Sequence, residues 1–221
     1  MKPAKLIDAA LFVSAFQQAW AQLCDLRGEE IARAYDHDRT WSDFVIGREK
    51  IDDAHASLNL FPRTASLLRD AHGIKELRYE DDKIDMAMVA GEACFGDRGW
   101  GYASRHCVLI EHENQIERAG EEFYKLLFRV ADLKVVAFPN WSTEAIGTAR
   151  GGDPLPRTLT QFRDLARLAP HCNPTNFLIL VAQRAQEHAL PNWSWLSTAA
   201  WDESASAEIK TTQLALREQA R

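Results

Sequence analysis

Paired cysteines and long apolar runs are both missing from this sequence. The four cysteines, Cys24, Cys94, Cys107 and Cys172, are too far apart to form a CxxC motif, which argues against a zinc ribbon or a dithiol redox centre. Free, mostly buried thiols in a reducing compartment are expected instead. No apolar run approaches the ~20 residues that cross a bilayer, and polar residues interrupt the first helical pattern where a secretory leader would be apolar. These absences favour a cytoplasmic protein that does not enter a membrane.

Positive charge is scarce as well. The chain has 26 lysines and arginines against 32 aspartates and glutamates, which gives a formal net charge of −6. A protein that coats nucleic acid would be basic overall, so the sequence disfavours that class. A nuclease remains compatible with this balance, because metal-binding carboxylates lower the net charge while a local basic face holds phosphates.

Familiar nucleotide, zinc and cysteine-hydrolase motifs are absent too. The glycine-rich segment 91–104 has neither the G-x-G-x-x-G spacing nor a Walker lysine, and we expect a mobile loop between paired strands there. Glu111-His112-Glu113 differs from HExxH, whose histidines lie one helical turn apart. His171-Cys172-Asn173 is a poor cysteine-hydrolase centre, because neighbouring side chains point apart.

The first third of the sequence contains helical patterns. Between residues 5 and 24, apolar residues recur every three or four positions, as on one buried helix face. A second helix is predicted near 41–44, capped by Thr40 or Ser42, and others over 51–60 and 65–71, divided by Pro62. His72-Gly73 is typical of a helix end. We expect residues 1–72 to form an N-terminal helical segment packed on the core.

After Gly73 the apolar period changes from helix to strand. Residues 75–80 and 83–90 alternate and are joined by Asp81-Asp82, which predicts a hairpin. The later elements are predicted in this order: strand 106–113, helix 117–130, strand 133–138, helix 158–168, strand 177–181 and an edge strand at 193–200. This order favours an α/β fold over 73–202, a mixed sheet with helices on both faces, followed by a polar tail at 203–221.

Three carboxylates stand out within these strands. Asp85 lies in the second strand, and Glu111 and Glu113 lie near the end of the third. The two glutamates share one sheet face, whereas His112 points to the opposite face, where we expect it to meet the crossover helix. Acidic side chains on an inner strand are costly unless a cation, water or hydrogen-bond donors receive them. Hard oxygen ligands suit Mg²⁺ or Mn²⁺; the alternatives are a solvated strand end for the glutamates and an ion pair for Asp85.

The element order resembles that of the PD-(D/E)XK nuclease superfamily. The matching pieces are Lys83-Ile84-Asp85 and the stretch 108–114, followed by the predicted crossover helix and strand. The resemblance covers about the middle third of the chain and implies a restriction-endonuclease-like sheet. Glu113 stands where the superfamily usually has lysine, and Lys125 on the next helix is similar to the relocated lysine of some members.

This resemblance implies phosphodiester hydrolysis assisted by Mg²⁺ or Mn²⁺. Asp85, Glu111 and the main-chain carbonyl of His112 would hold the metal, while Glu113, Lys125 or a second metal would prepare the attacking water. Two other functions fit the same fold, a non-catalytic binding or assembly module and a hydrolase of small phosphate esters.

The implied partner is nucleic acid, DNA more than RNA. A basic rim would position its backbone, and the candidate residues are Lys75, Lys83, Arg98 and Arg105. Glu30 or Glu49 could add a carboxylate, as upstream helices do in some members of the superfamily. A homodimer is plausible, because two sites serve the two strands of a duplex.

Overall fold

The computed structural model describes most of the chain. The described residues are 6–47, 57–81, 83–90, 94–95, 101–102, 105–141, 154–169, 176–183, 189–198 and 212–213. Among the sequence predictions, those for Arg98, Glu49, residues 171–173 and most of segment 91–104 lie outside these ranges.

Helices surround a mixed sheet. The helices in the described ranges are α1 (Ala9–Ala34), α2 (Asp38–Val45), α3 (Leu60–His72), α4 (Ala119–Leu127) and α5 (Leu155–Leu168). The side chain of Asp8 caps α1 by accepting the Leu11 N–H at 2.9 Å. Gly73 ends α3 with a left-handed φ of 69°, as the sequence predicted. None of these helices has the length and apolar character needed to span a membrane.

The strands confirm an α/β fold with a mixed sheet. They are β1 (Ile74–Asp81), β2 (Ile84–Ala90), β3 (Cys94–Phe95), β4 (Gly101–Tyr102), β5 (Arg105–His112), β6 (Leu133–Pro139), β7 (Phe177–Gln183), β8 (Asn192–Ser197) and β9 (Thr212–Gln213). The main sheet has the order β1-β2-β5-β6-β7-β8-β9, and β3 pairs separately with β4. Strands β5, β6 and β7 are parallel, whereas the other neighbours are antiparallel.

Alternation along the strands creates two apolar layers. Met86, Met88, Val108 and Ile110 face α1, α2 and α3, with which they form one buried cluster. Their neighbours Ala87, Val89 and Leu109 face α4 and α5 in a second cluster. The helices therefore cover both faces of the sheet, as predicted, because every inner strand must bury both sides.

Several predicted helix boundaries were wrong. Pro62 does not divide two helices but lies in the first turn of α3, where its missing N–H is harmless. Neither Thr40 nor Ser42 caps α2, because the helix already begins at Asp38. The predicted helix 117–130 splits into a 3₁₀ turn, Ile116–Arg118, and the shorter α4. Val130, at the end of the predicted helix, lies beyond α4 and is 88% exposed.

The strand predictions need smaller corrections. The third predicted strand ends at His112, so Glu113 lies just beyond β5. The predicted edge strand near the C-terminus is β8, which has neighbours on both sides because β9 pairs with it at Ser194 and Trp195. Part of the predicted polar tail therefore adds a strand to the sheet.

Candidate active site

Strand register brings two of the predicted carboxylates together. Strands β2 and β5 pair antiparallel, with Met86 opposite Ile110 and Ala87 opposite Leu109. One step further, the same register sets Asp85 beside Glu111, on the sheet face that α4 covers. Cross-strand neighbours of this kind lie about 5 Å apart at Cβ. The two acids are therefore neighbours because the register sets them opposite each other and alternation directs both side chains to the same face.

Backbone and burial hold this pair in place. The His112 N–H donates to Oδ2 of Asp85 at 2.8 Å, which ties the start of β2 to the end of β5. Glu111 is fully buried, and its carboxyl group lies within hydrogen-bonding reach of Asp85. Two carboxyl groups so placed share a proton readily, since two adjacent charges in a buried site repel each other.

The electrostatics of the pair favour protonation. Burial, the charge of Asp85 and the charge of Glu122 raise the pKa of Glu111 far above its ordinary value, against a smaller lowering by Lys125. Burial also raises the pKa of Asp85, although the His112 N–H opposes this. At neutral pH the pair therefore keeps a proton that exposed carboxyls would lose. A bound cation would replace that proton as the compensating charge.

Lys125 reaches the pair from α4. Its Nζ lies 3.5 Å from Oε1 of Glu111 and forms a second, closer ion pair with Glu122. Burial lowers the pKa of Lys125, but the two carboxylates outweigh this effect and raise it overall. The ammonium group therefore lies at the acidic pair, which is the position that the sequence analysis required of a relocated lysine.

Glu122 is the component of this cluster that the sequence analysis missed. It is 7% exposed and lies on α4 among the buried residues Ala119, Phe123 and Leu126. A glutamate within the apolar stripe of a helix was the available signal, because a buried carboxylate needs a partner. Asp85, Glu111, Glu122 and Lys125 are hereafter called the carboxylate–lysine cluster.

Glu113 has a different position from the one predicted for a catalytic residue. Its Oε1 accepts the Gln115 N–H at 2.9 Å, and its Oε2 lies 3.8 Å from Nε of Arg118. These contacts brace the turn between β5 and the 3₁₀ segment. The charge of Glu113 still raises the pKa of Asp85, so it acts on the cluster from a distance.

His112 points away from Glu111, as alternation predicted. The expectation that its ring meets the crossover helix was wrong, because Nδ1 lies 3.4 Å from Oγ of Ser42 on α2. Burial lowers the pKa of His112 to about 3, so the ring is neutral. Its main-chain carbonyl remains a predicted metal ligand.

The predicted phosphate-binding residues divide between the two ends of the sheet. Lys83 is exposed in the β1–β2 turn, two residues from Asp85, with a left-handed φ of 70°. Lys75 and Arg105 lie at the opposite end, since Ile74 and Arg105 both pair with Ala90. Arg105 is moreover held by Asp132, with Nε 3.2 Å from Oδ1. The structure therefore groups only Lys83, among these three, with the carboxylate–lysine cluster.

A cleft of about 870 Å³ opens beside Asp85. Its walls come from the C-terminal part of α1, from α2 and from the end of the β1–β2 hairpin, and they include Glu30, Ser42 and His112. Glu30 is therefore placed on the same cleft as Asp85, although its Oε2 pairs with Arg27 at 2.8 Å. Asp85 lines this cleft, whereas Glu111, Glu122 and Lys125 are not among its lining residues.

The donor set partly fits a divalent cation. Asp85 and Glu111 supply hard oxygen atoms, and one oxygen of Glu111 is buried without a hydrogen-bond donor among the described residues. No group of three or more histidine, cysteine, aspartate or glutamate side chains in the described ranges is arranged to hold a metal. Water, substrate oxygens or main-chain carbonyls would have to complete the coordination, as they commonly do for Mg²⁺.

Comparison of the chain with protein-family models and with curated proteins found no match.

Proposed function

We propose that the carboxylate–lysine cluster hydrolyses phosphodiester bonds in nucleic acid with Mg²⁺ or Mn²⁺, on a restriction-endonuclease-like fold. The observation that carries this proposal is the meeting of Asp85 and Glu111 on adjacent strands, with the ammonium of Lys125 3.5 Å from Glu111. Two carboxylates and one ammonium, with Asp85 at the neighbouring cleft, are the charges that phosphoryl transfer needs.

The element order supports the fold part of the proposal. A helix, a hairpin, a third antiparallel strand, a crossover helix and a parallel strand follow one another as α3, β1–β2, β5, α4 and β6. The sequence resemblance to PD-(D/E)XK nucleases predicts this order and puts an acid on each of the two middle strands. Fold analogy alone does not assign an activity, so the proposal depends on the cluster.

Asp85, Glu111 and Lys125 have the chemical roles in this proposal. Asp85 and Glu111 bind the cation, which when present neutralises phosphoryl oxygens and makes a water more acidic. The Lys125 ammonium stabilises negative charge that develops on the phosphoryl group and orients the attacking water. The His112 N–H keeps Asp85 directed at Glu111, and Lys83 contacts the substrate backbone at the rim.

The test is a cleavage assay on supercoiled plasmid and single-stranded DNA with Mg²⁺ or Mn²⁺. The variants Asp85→Asn, Glu111→Gln and Lys125→Met should each lower the cleavage rate by about 100-fold or more, because each removes a charge from the reacting centre. Glu121→Gln is the matched control, since Glu121 is an exposed acid of α4 that pairs with Arg118.

Each alternative has its own outcome in this assay. Equal cleavage by the wild type and all variants would identify a contaminating nuclease. Hydrolysis of p-nitrophenyl phosphate without DNA cleavage would indicate a hydrolase of small phosphate esters. Absence of cleavage with either metal would contradict the nuclease proposal and favour a non-catalytic module of the same fold.

A further inference from the structure

Burial of the Glu122 carboxylate costs free energy unless a charged partner compensates for its lost hydration. Ala119 and Leu126, three and four residues away on α4, and the adjacent Phe123 are all fully buried. A carboxylate in such a stripe loses its hydration and needs a charged partner in return. The partner is Lys125, one helical turn further along α4.

Glu111 alone would not hold the Lys125 ammonium in this position. Its side chain is 42% exposed, and a lysine with one end in water gains rotamer entropy by extending into solvent. The link to Glu111 alone is long, at 3.5 Å, whereas the contact with Glu122 is closer. The ammonium therefore lies between two buried carboxylates that belong to different elements, β5 and α4.

Glu121 gives a direct comparison on the same helix. It is 65% exposed and pairs with Arg118 at 3.4 Å, also three residues away. Surface ion pairs of this kind contribute little to stability and hardly restrict the conformations of their side chains. Glu122 differs because it is buried beside Glu111, so its pairing restricts where the lysine can go.

We propose that Glu122 is a positioning residue, which holds the ammonium of Lys125 against Glu111 and so prepares it for the reaction. This inference rests on the function proposed above. Glu122 does not need to contact substrate or cation, because it acts through Lys125. Outer residues that orient a reacting group commonly change activity by about 10- to 100-fold when they are replaced.

The kinetic experiment compares Glu122→Gln, Glu122→Asp, Lys125→Met and the double variant Glu122→Gln/Lys125→Met in Mn²⁺-dependent plasmid cleavage. We expect Glu122→Gln to lower kcat by about 10- to 100-fold with little change in KM. Glu122→Asp should recover part of the loss, since it keeps the charge. The double variant should match Lys125→Met, because a residue that acts through Lys125 has no effect once the lysine is gone. Glu121→Gln should match the wild type.

Additive losses in the double variant would overturn the inference, since they would show an effect independent of Lys125, as a general loss of packing would produce. Full activity of Glu122→Gln would overturn it as well.

Crystal structures of the wild type and Glu122→Gln test the same inference without activity. In the wild type, Nζ of Lys125 should lie within 4 Å of Glu111, and in the variant it should move into solvent. An unchanged lysine in Glu122→Gln would contradict the positioning role even if the protein cleaves DNA. An inactive wild type whose lysine moves on substitution would reject the proposed function and leave the positioning role supported.

Discussion

At the level of single residues, burial of charge distinguishes this site from an ordinary surface. The family resemblance implied that Asp85 and Glu111 share one site, and strand alternation and register place them side by side in the structure. The sequence could not predict the contact between Lys125 and Glu111, which depends on rotamers and on how α4 lies over the sheet. Glu122 was not predicted, although its buried neighbours Ala119, Phe123 and Leu126 form an apolar stripe on α4.

The neutral ring of His112 makes stability depend on pH. Its pKa of about 3 in the folded chain lies below the ordinary value of about 6.5, so below pH 6.5 the unfolded chain binds a proton that the folded chain does not. The His112 contribution to stability is therefore present above pH 6.5 and is lost as pH falls towards 3. We expect the free energy of unfolding to fall by up to about 1.4 kcal/mol per pH unit in that window from this group alone.

Urea denaturation between pH 4 and 7 measures this dependence, in the presence of EDTA. His112→Asn retains a donor for Ser42 but cannot titrate, so its unfolding free energy should vary less with pH than that of the wild type. His37→Asn, which replaces an exposed histidine, is the matched control. Identical pH dependence in the wild type and His112→Asn would contradict the prediction.

At the level of elements, the hairpin was the most predictable part and the helix ends were the least. Alternation along β1 and β2 predicted a hairpin, and the structure pairs Leu77 with Met88 and Tyr79 with Met86, with a register shift near Ile74. Helix boundaries depend on contacts that the sequence does not display. Thr40, for example, bonds backwards to the carbonyl oxygens of Ala34 and His37 instead of capping α2.

The junction after α2 requires glycine. Gly47 has a left-handed φ of 56°, and a Cβ added there would lie 2.7 Å from Cβ of Asn59, just before α3. Gly47→Ala should therefore destabilise the protein, by about 1–2 kcal/mol from the backbone conformation alone and by more from the clash. Gly28, inside α1, has room for a methyl group, because its nearest contact would be Leu190 at 3.5 Å. Gly28 follows Arg27, whose φ of −152° interrupts α1, so Gly28→Ala should be neutral or stabilising by less than the roughly 0.5–1 kcal/mol gained inside helices. Thermal unfolding of both variants tests the contrast, and similar shifts in Tm would contradict it.

At the level of the whole molecule, one tryptophan joins distant parts of the chain. Trp193 on β8 is 1% exposed and contacts the rings of Phe16, Trp20 and Trp41 on α1 and α2. The sequence predicted that the strand of Trp193 lies at the edge of the sheet. Its outer neighbour β9 could not be recognised, because it has only two residues and no alternating pattern. Trp193→Ala should cost about 3–5 kcal/mol of unfolding free energy, whereas Trp195→Ala, at a partly buried position, should cost less. Guanidinium denaturation measures both, and a small effect at Trp193 would show that α1 and α2 do not depend on β8.

Charge distribution over the whole chain determines the salt dependence expected for the proposed nucleic-acid binding. The chain carries a net charge of −6, and Lys75 and Arg105 lie about 20 Å from the carboxylate–lysine cluster along the strands. Each phosphate that a protein neutralises contributes about −0.9 to the slope of log K against log salt concentration. If Lys83 and Lys125 are the residues that contact phosphates, we expect a shallow slope of about −1 to −3.

Fluorescence anisotropy with a labelled DNA duplex, in Ca²⁺ and at several salt concentrations, measures this slope. Lys83→Gln should make it shallower by about 0.9, the value of one phosphate contact, whereas Lys75→Gln should have little effect because of its distance from the cluster. A slope steeper than about −5 would require more than five phosphate contacts. Such a footprint would have to extend beyond Lys83 and Lys125, either to Arg27 and Arg33 of the cleft or across the molecule to the sheet end that holds Lys75 and Arg105.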